Sequence, residues 1–395
     1  LFRPFPADAL TAALPGTVER IAVLDRCKEP GAAAEPLCAD VTTAVAAAAG
    51  RSAFEAGMPT ITGGRYGLGS KEFTPAMAAA VFDALGSEAP PQQFTVGIND
   101  DVTGLSLPVE ARRFPEREDV TTAVLVGLGS DGTVGAAKNA CKIAAGRPGH
   151  EGPVQGYFVY DSKKSGAVTV SHLRFAEEPL EAPWLIDRAD YLGIHQFSLL
   201  ERHDLLDRAA VDATVVINSP HGPEDTFDRL PADARRHIVE RNLSVHVVDA
   251  GSISRKAGLG GIVSTVMLTC FVKLAGLAGG TSGDGTDAVK AAIEADYGKL
   301  GDAVLRPNFA AVDATLESIR PMPVPSGGDT GGDAAPGLVP AGAPEFVAEV
   351  TAEMMAGRGD SLPVSVFPPD GTYPPGTTRW EKRGIALEVP AWEPD

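Results

Sequence analysis

Short apolar runs alternate along this chain with longer stretches of helical period, the pattern of strands exchanging with helices. Arg20–Leu24 (R-I-A-V-L) predicts a buried strand, and the Ala-rich Pro36–Ala49 predicts a helix. Gly63-Gly64-Arg65-Tyr66-Gly67 interrupts the pattern. Thr74–Leu85 predicts a second helix with Pro75 in its first turn, where a missing N–H is no loss, and Phe94–Ile98 a further strand. From Val120 the alternation restarts. Thr121–Val126 (T-T-A-V-L-V) predicts a strand buried on both faces, then Gly127–Gly132 a tight turn and Val134–Ala145 a helix. Strands are expected at Gly156–Tyr160, Val168–His172, Ala189–Ile194, Ala213–Ile217 and Ser244–Val248. Helices are expected up to Arg241, over Gly258–Ala278, and over Asp287–Tyr297 and Asn308–Ile319. This order implies α/β architecture with mostly parallel sheets.

Pro321–Pro344 is rich in Pro and Gly, buries too little apolar surface to fold alone and reads as a linker. Glu345–Ala356 predicts a helix, and the remainder is extended and Pro-rich. The expected organisation is residues 1–117 as a first domain, 118–320 as a second, 321–344 as linker and 345–395 as a connector. The opening Leu1-Phe2-Arg3-Pro4-Phe5 has no Met and no signal-peptide pattern, and reads as the middle of a longer polypeptide.

Composition narrows the function. The 395 residues are 44% apolar and 22% charged, ordinary for a water-soluble chain, and no apolar run is long enough for a membrane span. A net charge of −18 disfavours nucleic acid, whose phosphates need clustered Lys and Arg. The four cysteines, Cys27, Cys38, Cys141 and Cys270, form no C-x-x-C pair and no metal framework, so no metal site is expected. Few cysteines and no secretory signal point to the cytoplasm.

The strongest chemical signal is Gly127-Leu128-Gly129-Ser130-Asp131-Gly132, a G-x-G-x-x-G turn between a strand and a helix. Glycines there let backbone approach a phosphate, and the helix N-terminus offers free N–H groups and positive potential. The bland alternative is a tight strand-to-helix turn without a ligand. Asp161, at the end of the next strand, stands where a dinucleotide fold holds a ribose. Ser162, Lys163 and Lys164 follow it, and Lys138 lies on the first helix. Three lysines at one sheet edge suit a ligand with several phosphates; coenzyme A and NADP both qualify, and a solvated lysine loop is the alternative. Asn218-Ser219-Pro220 ends another strand, and in an open parallel sheet these loops converge on the carboxyl rim. His172, His195 and His221 match no ligand spacing, and His172 and His195 read as satisfied strand-end or core residues. Asp100-Asp101 reads as a turn or cap. No catalytic residue is identified.

Several segments resemble pyruvate:ferredoxin (flavodoxin) oxidoreductase. They are Leu24-Asp25-Arg26-Cys27-Lys28-Glu29-Pro30-Gly31, Gly64-Arg65-Tyr66-Gly67-Leu68-Gly69-Ser70-Lys71-Glu72-Phe73 and Phe94-Thr95-Val96-Gly97-Ile98. Further along stand Gly129-Ser130-Asp131-Gly132-Thr133-Val134-Gly135, Gly156–Gly166 and Val170-Ser171-His172-Leu173-Arg174. The tail adds Met354–Asp360 and Trp380–Ala386, so the motifs span nearly the whole chain. The resemblance implies two doubly wound domains and an extended C-terminal connector. The first would be like the C-terminal domain of transketolase, and the second a Rossmann-like gamma domain that engages coenzyme A. It implies a ligand rim at Gly129, Ser130, Asp131, Gly132, Thr133, Val134, Lys138, Asp161, Ser162, Lys163, Lys164, Asn218, Ser219 and Pro220. It also implies a parent enzyme that turns pyruvate into acetyl-coenzyme A with ferredoxin or flavodoxin as electron acceptor. Thiamine diphosphate, Mg and iron–sulfur (4Fe–4S) clusters would sit in other domains of that parent, a homodimer. Cys27 and Cys38, Ala137 and His221 depart from the family's usual Thr, larger apolar residue, Asn and aromatic. An NAD(P)-binding dehydrogenase domain and a non-enzymatic spacer module are the rival readings.

Overall fold

Three parallel strands, β1 (Arg20–Asp25), β2 (Thr60–Arg65) and β3 (Gln93–Thr95), form the first sheet in the order β1-β2-β3. The computed structural model to which they belong describes residues 3–68, 71–111, 113–146, 152–160, 167–275, 285–325, 338–380 and 391–393. Its chain divides into two units, one of residues 1–115 with 345–377 and one of residues 116–344 with 378–395.

In the first unit, α1 (Ala7–Ala13), α2 (Pro36–Ala49) and α3 (Pro75–Gly86) accompany the sheet. β2 is a strand that the sequence pattern presents as a break, because it carries Gly63 and Gly64. Both glycines have a packing cause. A Cβ on Gly63 would stand 3.0 Å from the Cys38 sulfur, and one on Gly64 would enter the Phe94 ring. The strand keeps these positions bare so that α2 and an aromatic side chain can close on the sheet. Asp25, at the end of β1, accepts hydrogen bonds from the N–H groups of Leu37 (2.9 Å) and Cys38 (3.0 Å) and thereby caps α2. Asp100 accepts from Thr103 and its neighbours in a turn. Asp101 accepts instead from the N–H of Ser365 at 3.0 Å and from its hydroxyl, so the tail 345–377 is fastened to this unit. That tail opens with a π-helical turn over Val347–Thr351 and a helix over Ala352–Met355.

The second unit is built on a mixed seven-stranded sheet. Its strands are β4 (Val120–Leu128), β5 (Val154–Tyr160), β6 (Val168–Ala176), β7 (Ala189–Ile194), β8 (Ala209–Asn218), β9 (Ser244–Val248) and β10 (Arg320–Pro321). They lie in the order β10-β9-β8-β7-β4-β6-β5. β4, β7, β8 and β9 are parallel neighbours. β6 runs antiparallel to both β4 and β5, so β5 points the same way as β4 from the sheet edge. The helices are α4 (Thr133–Ala145), α5 (Pro223–Arg229), α6 (Ala232–Glu240), α7 (Ala250–Ala257), α8 (Ser264–Leu274), α9 (Thr286–Tyr297) and α10 (Asp302–Ser318).

One apolar core joins α4 and α7–α10 to one face of the sheet; a second joins Val124, Val126, Leu192, Ile217, Phe227 and Ile238 on the other. α8 is buried from Thr265 through Val272, which is why its stretch is apolar on every side. The sequence pattern runs this helix continuously from Gly258 to Ala278. The structure instead ends α7 at Ala257, with Gly258 at φ +87° and Gly260 at φ +64°, and restarts at Ser264. These left-handed positions form a helix C-cap and a turn. Residues 276–278 of that expectation lie outside the described residues. Among the described residues no helix is long and apolar enough to cross a membrane.

Candidate functional site

The carboxyl ends of β4, β5, β7, β8 and β9 and the start of β6 share one rim. β4 leaves the sheet there into the glycine turn. Its Gly127 is bare of necessity, because a Cβ would overlap the Thr133 hydroxyl and approach Asp131 Oδ2 at 2.6 Å. Ser130 (φ +76°) and Gly132 (φ +91°) take left-handed backbone. For Gly132 this goes with a close approach, since a Cβ would stand 2.8 Å from the Ser264 side chain. The N-terminal ends of α4 and α8 therefore meet at Gly132. The sequence pattern conceals this meeting, because it runs α8 through Ser264 without a break.

Asp131 organises the turn. Its Oδ2 accepts from Leu128 N–H (2.7 Å), and its Oδ1 accepts from Thr133 N–H (2.8 Å) and the Thr133 hydroxyl (2.6 Å). The first helical N–H of α4 is thus already taken by an internal anion. Ala136 N–H reaches Gly132 O at 3.0 Å. Among the described residues no hydrogen bond takes the N–H of Val134 or Gly135, the remaining two of the first turn. Gly135 is exposed, and a Cβ there would meet nothing within 4 Å. One turn further on, Lys138 Nζ lies 5.6 Å from the Phe158 ring centroid, towards β5.

Asp161, Ser162, Lys163 and Lys164 lie outside the described residues. The strands that lead into and out of their loop end on the rim, at Tyr160 and Val168, and Gly129 N–H donates to Ala167 O at 2.7 Å. The glycine turn and the foot of that loop are therefore hydrogen-bonded neighbours. β6 separates β5 from β4, roughly 10 Å across two strand spacings. In a dinucleotide fold the strand that follows the glycine-turn helix lies next to the glycine strand and carries the ribose-binding acid; here that strand, β5, is held away from β4 by β6.

Asn218 joins the same rim through His195. Asn218 Nδ2 donates to His195 O (2.8 Å), and its Oδ1 accepts from Ala250 N–H (3.0 Å). His195 N–H donates to Val126 O (2.8 Å), and its Nδ1 stands 2.8 Å from Thr133 Oγ1. The Thr133 hydroxyl proton is directed to Asp131, so His195 Nδ1–H is the donor to Thr133. Burial holds the His195 imidazole well below its usual range, against the Asp131 charge, and keeps it neutral. Ser219 Oγ lies 3.1 Å from Thr226 Oγ1 and accepts from His221 N–H at 3.1 Å, which shapes the turn through Pro220 rather than offering a free hydroxyl. The His221 ring meets Phe197 edge-on at 5.3 Å, an aromatic contact at the position where the resemblance expects an aromatic. His172 is buried and accepts from Ile186 N–H through Nδ1.

Among the described residues His195 links the glycine turn to Asn218, while Ala167, at the foot of the lysine loop, meets the turn at Gly129. An isolated histidine carries no sequence signal for that role. The four cysteines are free. Burial raises the half-buried Cys141 to about 11 and the buried Cys270 to about 12, so both favour the neutral thiol.

A family model described as pyruvate ferredoxin/flavodoxin oxidoreductase matches residues 122–318, from β4 to the end of α10. All of this chain aligns at 50% identity with the pyruvate-flavodoxin oxidoreductase of Rhodospirillum rubrum, covering 33% of that protein. The chain belongs to the pyruvate ferredoxin/flavodoxin oxidoreductase family. With the pyruvate:ferredoxin oxidoreductase of Moorella thermoacetica it shares 44% identity, again over the whole chain and 33% of the relative. The chain therefore spans about a third of the length of these oxidoreductases. A second family model, described as a domain of unknown function, matches residues 332–386. Among solved structures, the pyruvate oxidoreductase subunit PORC of Thermotoga maritima superposes with a TM-score of 0.40 at 17% identity, over 52% of this chain and all of that one. The glycine turn, His195 and Asn218 all fall within the oxidoreductase match.

Proposed function

We propose that this chain is the coenzyme A-engaging part of a pyruvate:ferredoxin/flavodoxin oxidoreductase. The whole enzyme would oxidatively decarboxylate pyruvate, pass the electrons to ferredoxin or flavodoxin, and deliver the acetyl group to coenzyme A. The observation that carries this reading is the open first turn of α4. Val134 and Gly135 present two N–H groups at the positive end of a 13-residue helix, at the sheet rim, and the turn has no bulk at Gly135 to keep a phosphate away. Lys138 supplies a cation one turn on, and Lys163 and Lys164 are proposed to supply two more from the adjoining loop. A rim of this kind holds the phosphates and leaves the pantetheine arm free, so that a thiol is presented to an acyl donor bound elsewhere. Proximity is the rate contribution of such a part.

Among the described residues no group of three or more His, Cys, Asp or Glu side chains is placed to hold a metal ion. The residues described here do not fit a cluster or a Mg site, and the thiamine diphosphate, Mg and iron–sulfur centres of the reaction are assigned to other parts of the enzyme. Those parts, a second copy of the polypeptide and the electron acceptor in the cytoplasm are the proposed partners. The NAD(P) alternative is disfavoured by β6, which separates β5, the strand that would carry a ribose-binding acid, from the glycine strand β4.

Calorimetric titration of the full-length enzyme with coenzyme A, with NADP as competitor, tests the reading. Saturable binding that NADP does not displace is expected, and Lys163→Ala with Lys164→Ala should weaken it. NADP displacing coenzyme A, or unchanged affinity in variants of both Gly135 and the lysine loop, would overturn it.

A further inference from the structure

His195 is 1% exposed, and it connects the glycine turn to the strand end at Asn218. Its main chain ties β4 to the end of β8, with Val126 O accepting from its N–H and its own carbonyl accepting from Asn218. Its side chain donates to Thr133, and Thr133 donates to Asp131. The chain of donors has one direction, because the Thr133 hydroxyl has a single proton and the ionised carboxylate can only accept. Asp131 in turn gathers the N–H groups of Leu128 and Thr133. Those bonds hold Ser130 and Gly132 in left-handed backbone, and so fix where the free N–H groups of Val134 and Gly135 stand. Among the described residues no other donor reaches Thr133 Oγ1, on a residue 1% exposed.

We propose that His195 is a positioning residue of the coenzyme A site: through Thr133 and Asp131 it fixes the phosphate-binding shape of the Gly129–Gly135 turn. The inference rests on the coenzyme A reading above. It predicts that the glycine turn is preorganised from below, by a residue of a neighbouring strand end, and that ligand affinity depends on that support. A buried donor lost under a turn is felt as a misplaced turn as well as a lost bond.

The test uses the full-length enzyme with His195→Leu, Thr133→Val, the double variant, His195→Asn and, as the control on the site itself, Gly135→Ala. His195→Leu and Thr133→Val should each raise the coenzyme A Kd roughly tenfold, and the double variant little beyond either, because both break one chain. His195→Asn keeps an N–H donor near the Nδ1 position and should recover affinity to within about threefold of wild type. The KM for coenzyme A should rise while turnover at saturating coenzyme A stays within about twofold, as expected for a lost binding contribution. Affinity unchanged in His195→Leu while Gly135→Ala weakens it would overturn the role of His195 and leave the site standing. Affinity unchanged in every variant would overturn both. Fully additive losses in the double variant would show two independent packing defects and refute the chain. If His195→Leu fails to fold, Thr133→Val and His195→Asn still decide, since only a donor chain has the first weaken and the second preserve binding.

Discussion

Gly135→Ala separates what α4 needs from what its ligand needs. The residue sits in the first turn of the helix, is exposed, and leaves open space where a Cβ would go. Its backbone is helical, so alanine fits without strain. On structural grounds alone the glycine is a loss, because it has more freedom to surrender on folding; alanine should stabilise the second unit by about 0.5–1 kcal/mol. With a urea m-value of about 2–3 kcal/mol/M for a unit of this size, the midpoint should rise by roughly 0.2–0.5 M. The ligand sets the opposite demand. If a phosphate lies against the N–H groups of Val134 and Gly135, a methyl group beside the second of them enters the ligand's space. Coenzyme A affinity of the full-length enzyme should then fall by about tenfold, the equivalent of roughly 1.4 kcal/mol. The assays are urea unfolding of this chain and calorimetric titration of the enzyme. A variant that is less stable would refute the reading of the helix geometry. A variant that is more stable and binds coenzyme A as before would refute the placement of the phosphate at this turn.

Gly132→Ala should behave in the contrary sense. A left-handed φ of +91° costs alanine about 1–2 kcal/mol, and the approach to Ser264 at 2.8 Å adds overpacking, so unfolding in urea should show a loss of about 2–4 kcal/mol. Arg174→Met removes a guanidinium that is 2% exposed and bonded to Glu116, Gln155 and Trp184 O. It takes from Glu116 the guanidinium it is hydrogen-bonded to, and a loss of about 3 kcal/mol is expected; Trp184, whose ring lies 5.8 Å from that guanidinium, gives the fluorescence signal, and a loss below about 1 kcal/mol would sink the argument. Burial, with Arg208 and Arg174 adding to it, pushes His172 down to about 4. Between that value and about 6.5 the unfolded chain binds the proton and the folded chain does not, so stability is full above pH 6.5 and falls as pH drops towards 4. His172 should account for on the order of 2 kcal/mol of the loss between pH 7 and pH 5, and His172→Gln should flatten the urea midpoint against pH. An unchanged slope would refute the buried neutral state.

What the sequence discloses is local, and what it hides is pairing at a distance. β4 and its glycine turn are legible because an unbroken apolar run ends in residues with one physical use. The β5–β6 hairpin is half legible. Both strands are visible in the pattern, but alternation with helices suggests parallel neighbours and cannot show β6 inserted beside β4. β2 is hidden because the two glycines that let Phe94 and Cys38 close on it look like a loop. The same ambiguity acts in reverse at Gly258 and Gly260, where glycines inside an apolar stretch do end a helix. The tail 345–377 reads as a connector because its fastening to Asp101 joins residues 264 positions apart. His195 is illegible for the same reason, with partners 62 and 23 positions away. A single histidine after an apolar strand looks like any strand end.

The two units use the same device, a carboxylate at the start of a helix, with different results. In the first unit the accounting closes. Pro36 has no N–H, Leu37 and Cys38 donate to Asp25, and Ala39 donates to Glu35 O at 2.9 Å, so the first turn of α2 has nothing left to give. In the second unit Asp131 spends one oxygen on Leu128 in the loop and reaches only the first N–H of α4. Ala136 is satisfied by Gly132 O, and among the described residues Val134 and Gly135 remain without a partner for their N–H. One helix is capped shut; the other is held in shape by its aspartate and left open by two donors. The aspartate's charge repels an incoming phosphate, so such an opening binds anions only with compensating cations nearby. Under the proposed function Lys138, Lys163 and Lys164 would be that compensation, in a chain whose net charge of −18 otherwise repels a polyanion. Replacing Asp131 by Asn would relieve the repulsion but remove the charge that gathers the turn. If the turn's shape matters more than its charge, Asp131→Asn weakens coenzyme A binding in titrations of the full-length enzyme; tighter binding would show the ordering of the two effects to be the reverse.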